Sequence, residues 1–204
     1  MNTDTAQLIT PTIISGAYTY EDYSKMVADL LDKKTTTNGD NSPEILEYTK
    51  MNIHRSARWD KRGKLTEETQ KALHNVDESQ IWLVISEGWC GDAAQSLPFI
   101  AKMAEVSDNI ELKIILRDQN LEIMDEFLTN GSRSIPKVIV LDADSLEVKG
   151  SWGPRPAEAQ EMYMSDREKP DFSFQEAAEK LHLWYAKDKG QSIQDEFVQL
   201  LNSL

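Results

Sequence analysis

Two short apolar runs, QIWLVISE (80–87) and IELKIILRD (110–118), bracket the stretch DAAQSLPFIAKMAEV, whose apolar residues recur at helical spacing. Each run has the length of a strand buried on both faces. A helix between two such strands is the crossover that a parallel pair requires. The alternation continues. NLEIMDEFLTNG reads as a helix stopped at Asn130–Gly131, and KVIVLDAD and LEVKGSWG read as strands joined by a short polar turn. RPAEAQEMYM starts a further helix with Pro156 near its first turn. The order from residue 80 is therefore β-α-β-α-β-β-α, which predicts an α/β fold with a mixed sheet and helices on both faces.

The flanks carry helical patterns only. YEDYSKMVADLLDKK places Tyr23, Met26, Val27, Leu30 and Leu31 on one face. After the polar break TTTNGDNSP, Ser42–Pro43 opens a second helix running to about Trp59. TEETQKALHNV makes a third, with Glu67 and Glu68 suited to its first turn. The tail holds FSFQEAAEKLHLWYAKDKG and SIQDEFVQLLNSL; in the latter, Ile193, Phe197, Leu200, Leu201 and Leu204 form the stripe of a docked helix. The expected organisation is an N-terminal helical extension over 1–79, a core over 80–165 and C-terminal helices over 166–204.

The charge balance, 22 Lys+Arg against 35 Asp+Glu for a net −13, repels phosphate backbones and anionic lipid, so nucleic acid and membrane are not expected partners. No apolar run approaches the roughly 20 residues of a membrane span. The opening MNTDTAQLITPTIISG lacks the basic and apolar regions of a secretory signal. A single cysteine, Cys90, forms no internal disulfide. Together these features lead us to expect a cytoplasmic protein. His54, His74 and His182 lack ligand spacing, so neither a metal nor a cofactor is expected.

Cys90 falls between a strand and the first turn of a helix, in SEGWCGDAAQSLPFI. There, free N–H groups and the helix dipole favour thiolate over thiol. WCGDA resembles the active-site motif of thioredoxins, a tryptophan followed by Cys-Gly-Pro-Cys. Pro98, eight positions after Cys90, matches their helix-kinking proline, and SIPKVIVLD resembles their cis-proline segment. The resemblance covers about 80–165 and implies a thioredoxin-like fold, in a branch that carries WCGDA, SIP and WGPRP with one active-site cysteine. It implies a cis peptide at Ile135–Pro136 and a substrate groove beside Cys90.

Cys90 is then the candidate catalytic residue, supported by Trp89, Gly91, Asp92, Ala93, Ile135 and Pro136. Ala93 stands at the position of the resolving cysteine, which removes the dithiol cycle. Asp92 places negative charge where it opposes thiolate formation. Val84 occupies the site of the buried aspartate of thioredoxins; Glu87 reads first as a solvated strand-end residue, and as a substitute for that aspartate only if its side chain turns inward. Arg133 and Arg155 lie on loops expected beside the cysteine, where they would hold an anion or a thiol ligand. Arg55, Arg58 and Arg62 share a helical face that reads first as solvated, and otherwise as facing the active-site mouth or an acidic partner. Two functions follow. One is a monothiol thiol–disulfide oxidoreductase whose mixed disulfide with a low-molecular-weight thiol or a protein disulfide is resolved by an external thiol. The other is a redox-inactive module binding a peptide in the cis-proline groove.

Overall fold

The computed structural model describes residues 8–204; the sequence reading of MNTDTAQ falls outside the described residues. Among the described residues the named helices of the N-terminal part are α1 (Pro11–Gly16), α2 (Tyr20–Asp32), α3 (Pro43–Arg62) and α4 (Glu67–His74). Then follow β1 (Gln80–Ser86), α5 (Gly91–Ala104), β2 (Ile110–Leu116), α6 (Leu121–Asp125), β3 (Lys137–Asp142) and β4 (Val148–Trp152). The chain closes with α7 (Ala157–Arg167), α8 (Phe174–Asp188) and α9 (Gln191–Leu201).

The sheet order is β2-β1-β3-β4. β1 runs parallel to β2 from Gln80↔Ile110 to Ser86↔Leu116, and antiparallel to β3. β3 and β4 form the expected hairpin, with a register shift at Val140/Leu141. Every residue of β1 is buried, because helices cover both faces of the sheet. Trp82 and Val84 enter one core with Tyr23, Val27, Trp59, Leu97 and Phe197. Ile81, Leu83 and Ile85 enter the other, with Ile14, Ile123, Met124 and Ile139.

The flanking helices are integral to the first core. Phe197 of α9 lies 5.0 Å from the ring of Trp82 and 5.4 Å from that of Trp152. The buried Gln194 side chain accepts from Thr66 N and donates to the carbonyls of Lys64 and Gly190, tying α9 to the entry of α4. Pro98 lies inside α5 and removes one of its hydrogen bonds, since it has no N–H to offer Ala94 O four residues earlier. That carbonyl instead accepts the Ser56 hydroxyl of α3 at 3.4 Å.

One element departs from expectation. The helix predicted over NLEIMDEFLTNG is the five-residue α6. Asn130 and Gly131 both have positive φ, 51° and 73°, and turn the chain between the bridged residues Thr129 and Ser132. The Asn-Gly pair is thus a reversal between two extended residues rather than a helix cap.

Candidate functional site

Cys90 caps α5. Its Sγ accepts from Ala93 N at 3.4 Å and donates to the Ile135 carbonyl at 3.2 Å. The residue is 7% exposed. Burial, and after it the charge of Asp92, push the Cys90 thiol up to about 12, against the weaker opposing pull of the Ala93 N–H and Arg155. Position at a helix start favours thiolate, but desolvation of the anion outweighs it here.

The Ile135–Pro136 peptide is cis, as is Gly153–Pro154, which the sequence reading did not anticipate. Ile135 and Pro136 are both buried, and the Ile135 carbonyl already receives the thiol. Trp89 is half-buried beneath the Arg117 guanidinium, 4.8 Å from its ring centre.

The two candidate arginines part company. Arg155 Nη2 bonds Asp92 Oδ2 at 2.8 Å, Nη1 donates to Gln160, and the guanidinium lies 4.3 Å from the Tyr163 ring centre. Burial opposes the Arg155 charge, yet the adjacent Asp92 carboxylate holds its pKa above the ordinary value. Arg133 instead faces outward in a two-pronged pair with Asp125, at 2.6 and 2.7 Å, which holds the Asp125 carboxyl below its ordinary range. The basic cluster expected beside Cys90 is thus one arginine, and that arginine is neutralised.

Sequence reasoning missed several residues at this end of the molecule. Glu87, expected in solvent, is fully buried. Its carboxylate accepts from Asp118 N at 2.9 Å and from the Thr37 hydroxyl, and burial raises its pKa. Tyr185 of α8 donates to Asp92 Oδ1 at 2.9 Å. His182, one turn away, packs on Gly91, where a Cβ would lie 3.1 Å from His182 Cε1. Gln95 Nε2 faces His182 Nδ1 at 3.2 Å, and burial, then Arg55, lower the imidazole pKa to about 4. Arg55 itself donates to Asn52 on the same helix, and Arg58 lies over Trp59. An inward-facing carboxylate two residues before WC, and a tail helix with His and Tyr on one side, were the available signals.

A cavity of about 150 Å³ opens beside this site between α2, α3 and α5, with Cys90, Ala93 and Glu87 among its lining residues.

A four-strand mixed sheet, a cysteine at the start of the helix after its first strand and a proline loop facing that cysteine define a protein of the thioredoxin-fold class. The family model described as Thioredoxin matches residues 39–178, more than half the chain, and the chain belongs to that family. The match takes in α3 and α4 as well as the sheet. No curated protein matches the chain. Among solved structures, a protein of unknown function from Pseudomonas aeruginosa is 19% identical with a TM-score of 0.53, over 86% of this chain and 96% of that one. An HIV epitope scaffold is also 19% identical, with a TM-score of 0.51 over 87% of this chain and 98% of that one. Both show similarity of fold. Among the described residues no helix is long and apolar enough to cross a membrane.

Proposed function

We propose that the chain is a redox-quiet, single-cysteine member of the thioredoxin family, whose thiol holds the helix start and the proline loop together. The observation that carries this reading is the Cys90 sulfur, buried and bonded to both Ala93 N and Ile135 O. Ala93 adds the lack of a resolving thiol, and Arg155, which would favour a thiolate, is engaged with Asp92. Dithiol turnover needs two exposed-on-demand sulfurs, and this end of the molecule offers one, in its protonated form.

The rate of Cys90 alkylation by iodoacetamide across pH tests the proposal. The native protein is expected to react slowly up to pH 9 and fully only when unfolded, and to leave insulin reduction by dithiothreitol unaccelerated. An apparent thiol pKa below the ordinary value of about 8.5 overturns it.

The monothiol route remains the second reading, because Cys90 borders a cavity from which a small disulfide can approach. In that route the Cys90 thiolate attacks one sulfur of the disulfide, the S–S bond breaks and the departing thiolate takes up a proton. Intact-mass detection of a discrete adduct on native protein, formed within minutes with cystamine, would favour it.

A further inference from the structure

The cavity between α2, α3 and α5 is lined unlike the rest of the site. Its inner wall is apolar and buried: Val27 from α2, and Ala93, Ala94 and Leu97 from α5. Its mouth is formed by Tyr20 and Ser24 on one side, and by Ala57 and Asp60 on the other. A volume of about 150 Å³ is that of a cavity able to hold one benzene ring.

The charge of the lining has one sign. Asp60 and Glu87 are its ionisable carboxyl groups, and it contains no lysine, arginine or histidine among the described residues. Both Glu87 oxygens already accept hydrogen bonds, from Thr37 and Asp118. Asp60 Oδ1 accepts from the Tyr20 hydroxyl at 2.8 Å, and among the described residues Oδ2 accepts none. The nearby Lys102 ammonium is directed to the Asp60 main-chain carbonyl. Tyr20 and Tyr23 are among the residues lining the same space, and aromatic side chains attract cations.

We propose that this cavity binds a small organic ammonium ion, its apolar body against Val27, Ala94 and Leu97 and its charged head at Asp60. An anion is repelled by both carboxyl groups and meets no cation in the lining. A neutral molecule of the same shape gains the apolar contacts and lacks the contact with Asp60. The net charge of −13 further draws cations to the protein. The site uses no sulfur chemistry, so its failure and that of the redox-quiet reading are separate results.

Three probes of one shape test it: benzylamine, benzyl alcohol and benzoate, titrated into the full chain and followed by NMR. Benzylamine is expected to bind about tenfold more tightly than benzyl alcohol and to shift the resonances of Val27, Ala94 and Leu97, while benzoate does not bind. Asp60→Asn is expected to remove the preference for the amine over the alcohol. Ala57→Trp, at the exposed mouth, is expected to exclude both. If that variant does not fold by circular dichroism, Ser24→Trp blocks the opposite side of the mouth. No benzylamine binding, equal affinity for amine and benzoate, or a preference unchanged in Asp60→Asn overturns the proposal.

Discussion

At position 90 the sulfur makes two contacts that a hydroxyl makes better. Serine ranks with the best helix N-caps, whereas a thiol is a weak donor and a weak acceptor. The Ala93 N–H and the Ile135 carbonyl lie within reach of either side chain, at 3.4 and 3.2 Å from Sγ. Cys90→Ser should therefore keep its stability within about 0.5 kcal/mol of the native chain, while Cys90→Ala, which loses the cap and leaves the carbonyl unpaired, should cost about 1–2 kcal/mol. Urea unfolding of both variants checks this; a Cys90→Ser loss as large as that of Cys90→Ala would show that the hydroxyl does not take over the sulfur's two contacts. The sequence marked Cys90, Trp89, Ile135 and Pro136 as neighbours through their motif. It did not disclose the state of the thiol, because the helix-start argument is local and the desolvation that outweighs it comes from segments distant in the chain. Glu87 was misread for the same reason: its partners are Thr37, fifty residues earlier, and Asp118.

Among the elements, the buried strands were legible as short continuous apolar runs, and the long helices because an apolar period of 3.6 continues through whole segments. The end of α6 was not, since Asn-Gly serves equally as a helix stop and as a two-residue reversal. The role of α8 was also hidden. The sequence read it only as a helical stretch of the tail, yet Tyr185 and His182 bring it onto the start of α5. Asp92 is the meeting point, bonded to Tyr185 and to Arg155, with both charged side chains 13% exposed. Removing the Tyr185 hydroxyl takes one donor from a half-buried carboxylate, so Tyr185→Phe should cost about 1–2 kcal/mol in urea unfolding. A loss near zero would mean that water replaces the phenol there. The junction after α8 is tighter still. Gly190 has φ +79°, and a Cβ there would lie 2.3 Å from Phe99 Cζ in the core. Gly190→Ala should destabilise by about 2–4 kcal/mol through strain and overpacking together, measured by the same unfolding curves.

On the scale of the whole molecule, α3, α8 and the β4–α7 loop meet around the start of α5 and cover Cys90, and one titratable group reports on that covering. His182 meets Gln95 and Gly91 of α5, with Arg55 of α3 and Asp92 as its charged neighbours. Its pKa falls from 6.5 to about 4 on folding, first through burial and then through Arg55. Between those values the unfolded chain binds more protons at this position than the folded one, so stability rises with pH across the window. The contribution is complete above pH 6.5 and is lost as pH falls towards 4. The imidazole is only partly buried, and solvent screening reduces the full linkage value to about 1–2 kcal/mol. His182→Gln keeps a polar side chain beside Gln95 and does not titrate. The difference in unfolding free energy between native protein and this variant should therefore shift by about 1–2 kcal/mol between pH 7 and pH 4.5, against the native chain at low pH. Parallel pH dependences would show that α8 separates from α5 before the imidazole takes up its proton, and that the covering of Cys90 is looser than its burial indicates.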